Sequence, residues 1–396
     1  MPGHLGQKVL NALGVGHSHD QSQQQQYPGG YQGGGNPGGY PGRYPGGPGG
    51  GPPGIPPGYS GPQNPRRGVV NNDERPLSSH PNRGTYPRLA RLSDGSILSS
   101  FTRFPDGKRA LCVARSTDNG RTFENISEVT RAAGDVDNMF LCEVGPGVVL
   151  AAFRNHDQGE HGPTHYRITV CRSTDGGHTW RFAAQAFEKK PPFGIWEPFM
   201  RLGRRGEVQL TFSQEFAHNN QCTMLTVSHD QGSTWSRPTC LHGDNDPRRD
   251  GMNGIARTFD NGREALVMVF ETTTYGPFDV EALISYDDGA SWHHRHQVYR
   301  PRQGHNAGSP QIASFGDGSL VCVFMTDDDS DQVDWVKHAS IKVCFAGPPQ
   351  NGQIIWGPPV LVSPASSFWP GIMALDHHTA LVTYDRGGPL AKTVSW

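Results

Sequence analysis

Two glutamates in this chain sit where a carboxyl could do acid–base work. Glu197 is flanked by Trp196 and Pro198 inside the apolar run Phe193-Gly-Ile-Trp-Glu-Pro-Phe-Met200. Glu271 directly follows the strand-like run Val267-Met-Val-Phe270. A carboxyl that emerges from an apolar strand is desolvated, which raises its pKa and suits it to donate a proton near neutrality. Two such carboxyls facing one another can cleave a glycosidic bond, at separations of ~5–5.5 Å for retention of configuration and ~6.5–9.5 Å for inversion. The same residues could instead be structural, each pairing with an arginine or capping a loop. They stand 74 positions apart, so only a fold can bring them together.

A repeat announces the elements that must do so. Four copies of one motif read Ser116-Thr-Asp-Asn-Gly-Arg-Thr-Phe123, Ser173-Thr-Asp-Gly-Gly-His-Thr-Trp180, Ser228-His-Asp-Gln-Gly-Ser-Thr-Trp235 and Ser285-Tyr-Asp-Asp-Gly-Ala-Ser-Trp292. The aspartates Asp118, Asp175, Asp230 and Asp287 lie 57, 55 and 57 residues apart, a period that marks a repeat architecture. Asp accepts hydrogen bonds from nearby amides and Gly adopts positive φ without a steric cost, so each copy predicts a tight turn. The closing Trp or Phe is too large to leave in water and is expected to pack between neighbouring sheets. Strand-like runs such as Tyr166–Cys171 and Val280–Ile284 precede the copies, which makes each one a hairpin turn.

Between the copies, further strands align on a terminal aromatic: Phe101, Phe153, Phe212, Phe270, Phe324 and Tyr384. That predicts an all-β, six-bladed β-propeller with blades over 84–130, 131–190, 191–243, 244–302, 303–363 and 364–396. The fifth blade lacks an intact copy, and its turn is Gly347-Pro-Pro-Gln-Asn-Gly352. The sixth stops after three strands, so the segment from Gly68 to Leu77 is expected to close the ring and leave no sheet edge unpaired. The domain division is a low-complexity tail, 1–66, and the propeller, 67–396.

In such a blade the motif turns face one end of the ring. The residues after the aligned aromatics and at the entries of the first strands face the other. This predicts one mouth that gathers Arg154 to Asp157, Ser213 to Glu215, Glu271, Asp327 to Asp329 and Asp385-Arg386. The strand entries add Arg88, Asp135, Asp137, Trp196, Glu197, Asp250, Asn253, Ser309 and Trp369. Aromatic faces beside acids suit a carbohydrate, with rings for sugar C–H groups and carboxylates for hydroxyls and catalysis. Glu197 and Glu271 are the catalytic candidates. Asp137, Asn155, His156 and Asp157 are candidates for sugar hydroxyls, with a loop cap as the other reading of Asp157. Arg88 and Arg154 are expected to orient carboxylates or bind substrate, and Tyr384 to belong to the core. Asp327-Asp-Asp-Ser-Asp331 lacks the glycine and terminal glutamate of a calcium loop and reads as an acidic solvated loop.

The four motifs resemble the Asp-box (BNR) repeat of sialidases and related β-propeller glycosidases. More specific strings are similar to the fungal exo-α-L-arabinanases of glycoside hydrolase family 93. These are Tyr86-Pro-Arg-Leu-Ala-Arg-Leu-Ser-Asp-Gly-Ser-Ile97, Asp135-Val-Asp-Asn138, Ala151-Ala-Phe-Arg-Asn-His-Asp157, Trp196-Glu-Pro-Phe199, Ser309-Pro-Gln-Ile312, Val323–Asp328 and Trp369–Asp376. The similarity spans about 80–396. It implies a sialidase-like six-bladed propeller that releases arabinobiose from linear α-1,5-arabinan with retention. It matches the family's two catalytic glutamates to Glu197 and Glu271; Glu271 is taken as nucleophile and Glu197 as acid/base, although the sequence does not fix which is which. Two alternatives stand beside it. An exo-sialidase would need an arginine triad drawn from Arg88, Arg154, Arg257 and Arg386, which does not assemble from the sequence. A non-catalytic glycan- or protein-binding propeller would not need both glutamates.

Composition sets the outer limits. A formal net charge of −2 over 396 residues supplies no basic field for nucleic acid. No apolar run reaches the ~18 residues of a transmembrane helix. Seven cysteines without a Cys-x-x-Cys indicate neither a zinc site nor a redox pair, and no metal or cofactor is expected. The segment 1–64 holds 20 of the 52 glycines, too little apolar surface to offset chain entropy, so the tail is expected to be disordered. Its His17-Ser-His19 reads as an incidental pair, and Leu5, Val9 and Leu13 as one face of a short frayed helix. The tail is a candidate for weak multivalent protein contacts, and the propeller is expected to be a monomer acting on an oligo- or polysaccharide. The start does not read as the secretory signal that the resembled family carries, which points to the cytoplasm and leaves location unknown.

Overall fold

The computed structural model describes residues 68–79, 84–244 and 246–396. The expected disordered tail, its His17/His19 pair and its short amphipathic stretch lie outside the described residues. The described residues form 25 strands in six sheets.

Blade 1 comprises β3 (Thr85–Arg91), β4 (Ile97–Arg103), β5 (Arg109–Ser116) and β6 (Glu124–Ala132), after the short strands β1 (Val69–Val70) and β2 (Arg75–Pro76). Blade 2 is β7 (Asp135–Gly145), β8 (Val148–Gly159), β9 (Gly162–Ser173) and β10 (Arg181–Lys189). Blade 3 is β11 (Ile195–Leu202), β12 (Val208–Ala217), β13 (Asn220–Ser228) and β14 (Thr239–His242). Blade 4 is β15 (Gly251–Asp260), β16 (Arg263–Thr272), β17 (Asp279–Ser285) and β18 (His293–Tyr299). Blade 5 is β19 (Ala307–Ser314), β20 (Leu320–Thr326), β21 (Ser340–Ala346) and β22 (Val360–Ser363), with the one-turn helix α1 (Trp335–His338) between β20 and β21. Blade 6 is β23 (Phe368–Ala374), β24 (Thr379–Asp385) and β25 (Pro389–Ser395).

Each blade is an antiparallel meander, and β1 and β2 both pair with β25 to complete blade 6. The first strand of every blade touches the first strand of the next, and β23 returns to β3, so these six strands line the axis. The core lies between blades. Leu98 and Val113 of blade 1, for example, pack with Val149 and Ala151 of blade 2. The six-blade architecture is as expected from the motif period.

The motif turns are built as their residue types require. In blade 2, Asp175 Oδ1 accepts from the amides of His178 at 3.1 Å and Thr179 at 2.9 Å. Its Oδ2 accepts from Thr179 Oγ1 at 2.6 Å. Ser173 Oγ donates to Asp175 and accepts from the Gly177 amide at 2.9 Å. Gly177 has φ 95°, and a Cβ there would stand 3.1 Å from Leu98 of blade 1, so side-chain-free backbone is needed twice over. Trp180 donates from Nε1 to the Gly177 carbonyl at 3.1 Å and packs on the blade 1 core. Each turn thus staples its blade to the preceding one: Gly232 closes on Leu150 and Gly120 on Leu381 in the same way. Blade 5 replaces the motif with a donor pair, the amides of Asn351 and Gly352, which both reach Asp260 of blade 4 at 2.7 Å.

At the other end of the axis each first strand carries a β-bulge. The register skips two residues against one in β3, β7, β11, β15, β19 and β23. The single residue opposite is in each case the aligned aromatic: Phe101, Phe153, Phe212, Phe270, Phe324 or Tyr384. The first bulged residue is left-handed in all six blades: Tyr86, Asn138, Glu197, Met252, Ser309 and Trp369, with φ between 25° and 53°. In four blades the second bulged residue is a proline, tolerated because a bulged position has no ladder hydrogen bond to donate.

Candidate active site

The bulge re-aims one side chain per blade at the axis, and Glu197 is one of the six. Glu271 reaches the same region from the end of β16, where it pairs with Gly251. The two carboxyls are close enough for the charge of Glu271 to raise Glu197. Burial first, and then the charge of Glu271, pushes Glu197 up to about 8. Burial pushes Glu271 up to about 7, against the Ser309 amide and Arg249, which both favour its ionised form. The Ser309 amide donates to Glu271 Oε2 at 2.8 Å. Arg154, the Ser213 hydroxyl and Arg249 oppose the rise at Glu197. Glu271 is buried and Glu197 half-buried. Adjacent blades thus bring the two side chains to the same end of the ring.

Gly308 lets the pair form. A Cβ at that position would lie 2.6 Å from Glu271 Oε2 and 2.8 Å from the Trp335 ring. Trp335, on α1, continues an aromatic series. Tyr86 stacks on Trp369 with centroids 4.6 Å apart, Trp369 meets Trp335 edge-on at 6.2 Å, and Trp335 stacks on Phe278 at 5.4 Å. Met252 joins the same cluster and gives the axis an apolar floor. Trp369, a candidate from the sequence, therefore belongs to this group. Tyr86, Met252, Trp335 and Phe278 belong to it without being sequence candidates. Tyr86 is marked in the sequence only by its place in Tyr86-Pro-Arg, whereas nothing local marks Trp335 on its excursion between β20 and β21.

The acidic candidates separate once their partners are seen. Asp137 has all its lone pairs engaged: Oδ1 accepts from Thr102 at 2.6 Å and from the Asn138 amide at 2.9 Å, and Oδ2 from Arg109 at 2.5 Å and Arg154 at 3.4 Å. It has no capacity left for a sugar hydroxyl and instead anchors the two arginines. Arg154 also pairs with Asp135 at 3.0 Å and lies over Trp196 at 5.5 Å. Arg88 donates to the carbonyls of Pro87 at 2.9 Å and Trp369 at 3.0 Å, and burial lowers it to about 10. It ties blade 1 to blade 6 through backbone.

His156 is buried, with Nε2 on the Ile195 carbonyl at 2.8 Å and Nδ1 3.6 Å from Asp135. Its ring supports Trp196 edge-on at 5.2 Å, so it acts behind Trp196. Asn155 spends its Nδ2 on Thr169 at 3.0 Å. Asp157 sits further along the β8–β9 hairpin, paired with Arg167 at 2.5 Å, and makes no contact with this group. Two further mouth expectations need correction. Asp250 is fully buried between Arg295 at 2.6 Å, His242 at 3.1 Å and Thr272 at 2.6 Å, a structural ion pair because its strand entry points into the sheet stack. The segment 327–331 is not simply solvated. Asp327 is buried under the Asn306 amide, Asp328 accepts from the Arg302 amide at 3.0 Å, and Asp329 holds Lys342 at 2.7 Å.

Of the arginines considered for a triad, Arg154 is held by Asp135 and Asp137, and Arg257 pairs with Glu264 at 3.3 Å on the motif end. Tyr384 is buried in the core with its hydroxyl on Glu74, in keeping with the aromatic series. No group of three metal-ligating side chains occurs among the described residues. No helix among them is long and apolar enough to cross a membrane. A shallow depression on the motif end, lined by Asp260, Arg263, Tyr286 and His294 among others, has its carboxylate committed to Tyr286 and two amides.

No protein-family model matches the chain, and no curated protein matches it in sequence. Solved structures do. A GH93 α-L-arabinofuranosidase of Fusarium graminearum, with arabinobiose, is 18% identical with a TM-score of 0.59, over 83% of this chain and 97% of that one. A Penicillium chrysogenum α-L-arabinanase, also with arabinobiose, is 17% identical with a TM-score of 0.59, over 83% and 98%. A Hadza microbial sialidase is 16% identical with a TM-score of 0.54, over 78% and 65%. The chain is a six-bladed propeller of the fold shared by arabinanases and sialidases.

Proposed function

We propose that this protein is a retaining glycoside hydrolase that releases arabinobiose from the end of linear α-1,5-L-arabinan. The observation that carries the reading is the glutamate pair. Two carboxyls from adjacent blades lie near enough for the charge of Glu271 to act on Glu197, and their surroundings treat them differently. The Ser309 amide and Arg249 favour the ionised form of Glu271, which suits a nucleophile. Glu197 is pushed higher, first by burial and then by Glu271, and so retains its proton at neutral pH, which suits an acid.

Glu271 attacks the anomeric carbon while Glu197 passes its proton to the departing glycosidic oxygen. A covalent glycosyl–enzyme ester and a shortened arabinan result. Glu197, now ionised, takes a proton from water, whose oxygen displaces Glu271 and yields the sugar with retained configuration. Trp369 and Tyr86 offer apolar faces to the sugar, Trp196 a wall held by Arg154 and His156, and Asn155 a hydrogen-bonding edge. Asp137 keeps Arg154 in place behind that wall, and Arg88 holds the Trp369 backbone.

The test is product analysis on linear arabinan, debranched arabinan and a sialyl substrate, with Glu197→Ala and Glu271→Ala as controls. Arabinobiose released by the wild type and by neither variant is the expected result, with the released anomer read by proton NMR. Sialic acid release would replace the arabinanase assignment. No release from any substrate by a folded protein would make it a binding propeller.

A further inference from the structure

The six bulges place six chemically different side chains at equivalent positions around one axis. In ring order they are Tyr86, Asn138, Glu197, Met252, Ser309 and Trp369. In a ring of six, positions three apart face one another. Glu197 therefore faces Trp369, Met252 faces Tyr86, and Asn138 faces Ser309 across the line from the acid to the aromatic pair.

Four of the six have a clear occupation: one carboxyl and three members of the apolar floor. The other two are polar and have none. Both amide atoms of Asn138, Nδ2 and Oδ1, are buried without a hydrogen-bond partner among the described residues, and so is Ser309 Oγ. Buried polar side chains in folded proteins are nearly always paired, so two orphans at matched positions ask for an explanation. Neither is isolated from the chemistry. The Asn138 amide N–H is held by Asp137, and the Ser309 N–H holds Glu271 Oε2. Their backbones are committed, and their side chains are not.

We propose that Asn138 and Ser309 read the hydroxyl groups of the sugar held at the glutamate pair, one on each side of the acid–aromatic line. The inference rests on the glycosidase reading above. A carboxamide offers two donors and an acceptor, and a hydroxyl offers one donor and accepts. Together they match hydroxyls on opposite edges of a neutral sugar ring. Being uncharged, they add nothing to the repulsion from Glu271 that already raises Glu197. Asp137, the adjacent acid, cannot take this role because its oxygens are saturated.

The experiment uses the full chain and an aryl arabinobioside, together with analogues deoxygenated in turn at each hydroxyl of the reacting ring. Asn138→Gly keeps the left-handed backbone, φ 53°, and removes only the amide. It is expected to lower kcat/KM about 30-fold on the parent glycoside and to lose nothing further on the one analogue lacking its hydroxyl. Ser309→Ala should lose about tenfold and converge with wild type on a different analogue. The pH profile should be unchanged in both. Asn138→Ala, equally uncharged, checks a poorly folding glycine variant and should show the same selective convergence. An equal penalty on every analogue, or no penalty, would overturn the inference. If the wild type cleaves none of these glycosides, the glycosidase reading falls by itself. Calorimetry with arabinobiose then decides: wild-type binding weakened about tenfold by Asn138→Gly supports the assignment, and unchanged or absent binding overturns it.

Discussion

The two ends of each blade treat carboxylates in opposite ways. At the motif end, Asp175 and Asp230 hold hydroxyls and amides within their own turns, and those hydrogen bonds, led by Thr179 and Thr234, keep them well below the usual carboxylate range. At the mouth end, Glu197 and Glu271 are raised by burial to about 8 and about 7. The motif end repeats one solution four times, because a self-satisfied turn works in any blade. The mouth end repeats only a backbone device, the left-handed bulge, and puts a different side chain on it each time. Sameness marks the scaffold and difference marks the site. Asp385 warns that burial alone is not enough, since burial also raises it to about 7 although the carboxylate that acts on it, Asp137, is saturated by other donors.

The comparison breaks first if the glutamates can be spared. Glu271→Ala or Glu197→Ala should cost about 10⁴-fold in kcat with the fold retained by circular dichroism. The corresponding change at the motif end, Asp175→Ala, should leave kcat/KM within about twofold. If the Asp175 variant lost activity as heavily as the glutamate variants, the division between scaffold and site would be wrong.

Gly308→Ala sharpens the claim that geometry at the mouth is tight. The added methyl would displace either the Glu271 carboxyl or Trp335, and about 100-fold loss in kcat is expected, with a stability loss of about 1–3 kcal/mol from overpacking. Activity retained in the alanine variant would mean that the pair has slack.

Stability tests the other end. Asp175→Ala leaves two amides and a hydroxyl without their acceptor and should cost about 1 kcal/mol, measured by denaturant unfolding. A glutamate variant should show no such loss.

The smallest effect has opposite signs at the two ends. Asp175 is depressed on folding, so its stability contribution is present above its unfolded pKa of 3.8 and is lost as pH falls below that. Glu197 and Glu271 are raised from 4.5, so the folded state holds their protons longer than the unfolded chain does. Their contribution is present below pH 4.5 and is lost as pH rises towards about 7 and 8. Glu197→Gln should therefore flatten the fall in stability across that window, whereas Asp175→Asn should not. The activity profile should rise near pH 7 as Glu271 ionises and fall near pH 8 as Glu197 does.

Much of the fold is legible in the sequence because the motif turn is local. Ser173, Asp175, Gly177 and Thr179 satisfy one another within a few residues, so their spacing alone predicts their geometry, and a period of such turns counts blades. The glutamate pair is legible for a related reason: each acid lies inside or directly after an apolar run, and blade register puts both at the same end. The partners of the other acids are not. Asp137 and Asp250 look alike in sequence as acids at strand entries. One is saturated by Thr102, Asn138, Arg109 and Arg154, and the other is enclosed by Arg295, His242 and Thr272, nearly all brought in from other strands. Trp335 is illegible because its place depends on where the β20–β21 excursion folds back.

What the sequence determined by itself, then, is whatever is settled within one turn or one strand: the staples, the blade count, the apolar setting of Glu197 and Glu271. The bulges belong to tertiary structure. Two residues oppose one aromatic only when the first and second strands are paired, and only that pairing turns Glu197, Asn138 and Ser309 to the same axis. A left-handed residue is costly in an isolated strand and is held there by six packed blades at once, so no local pattern could announce it.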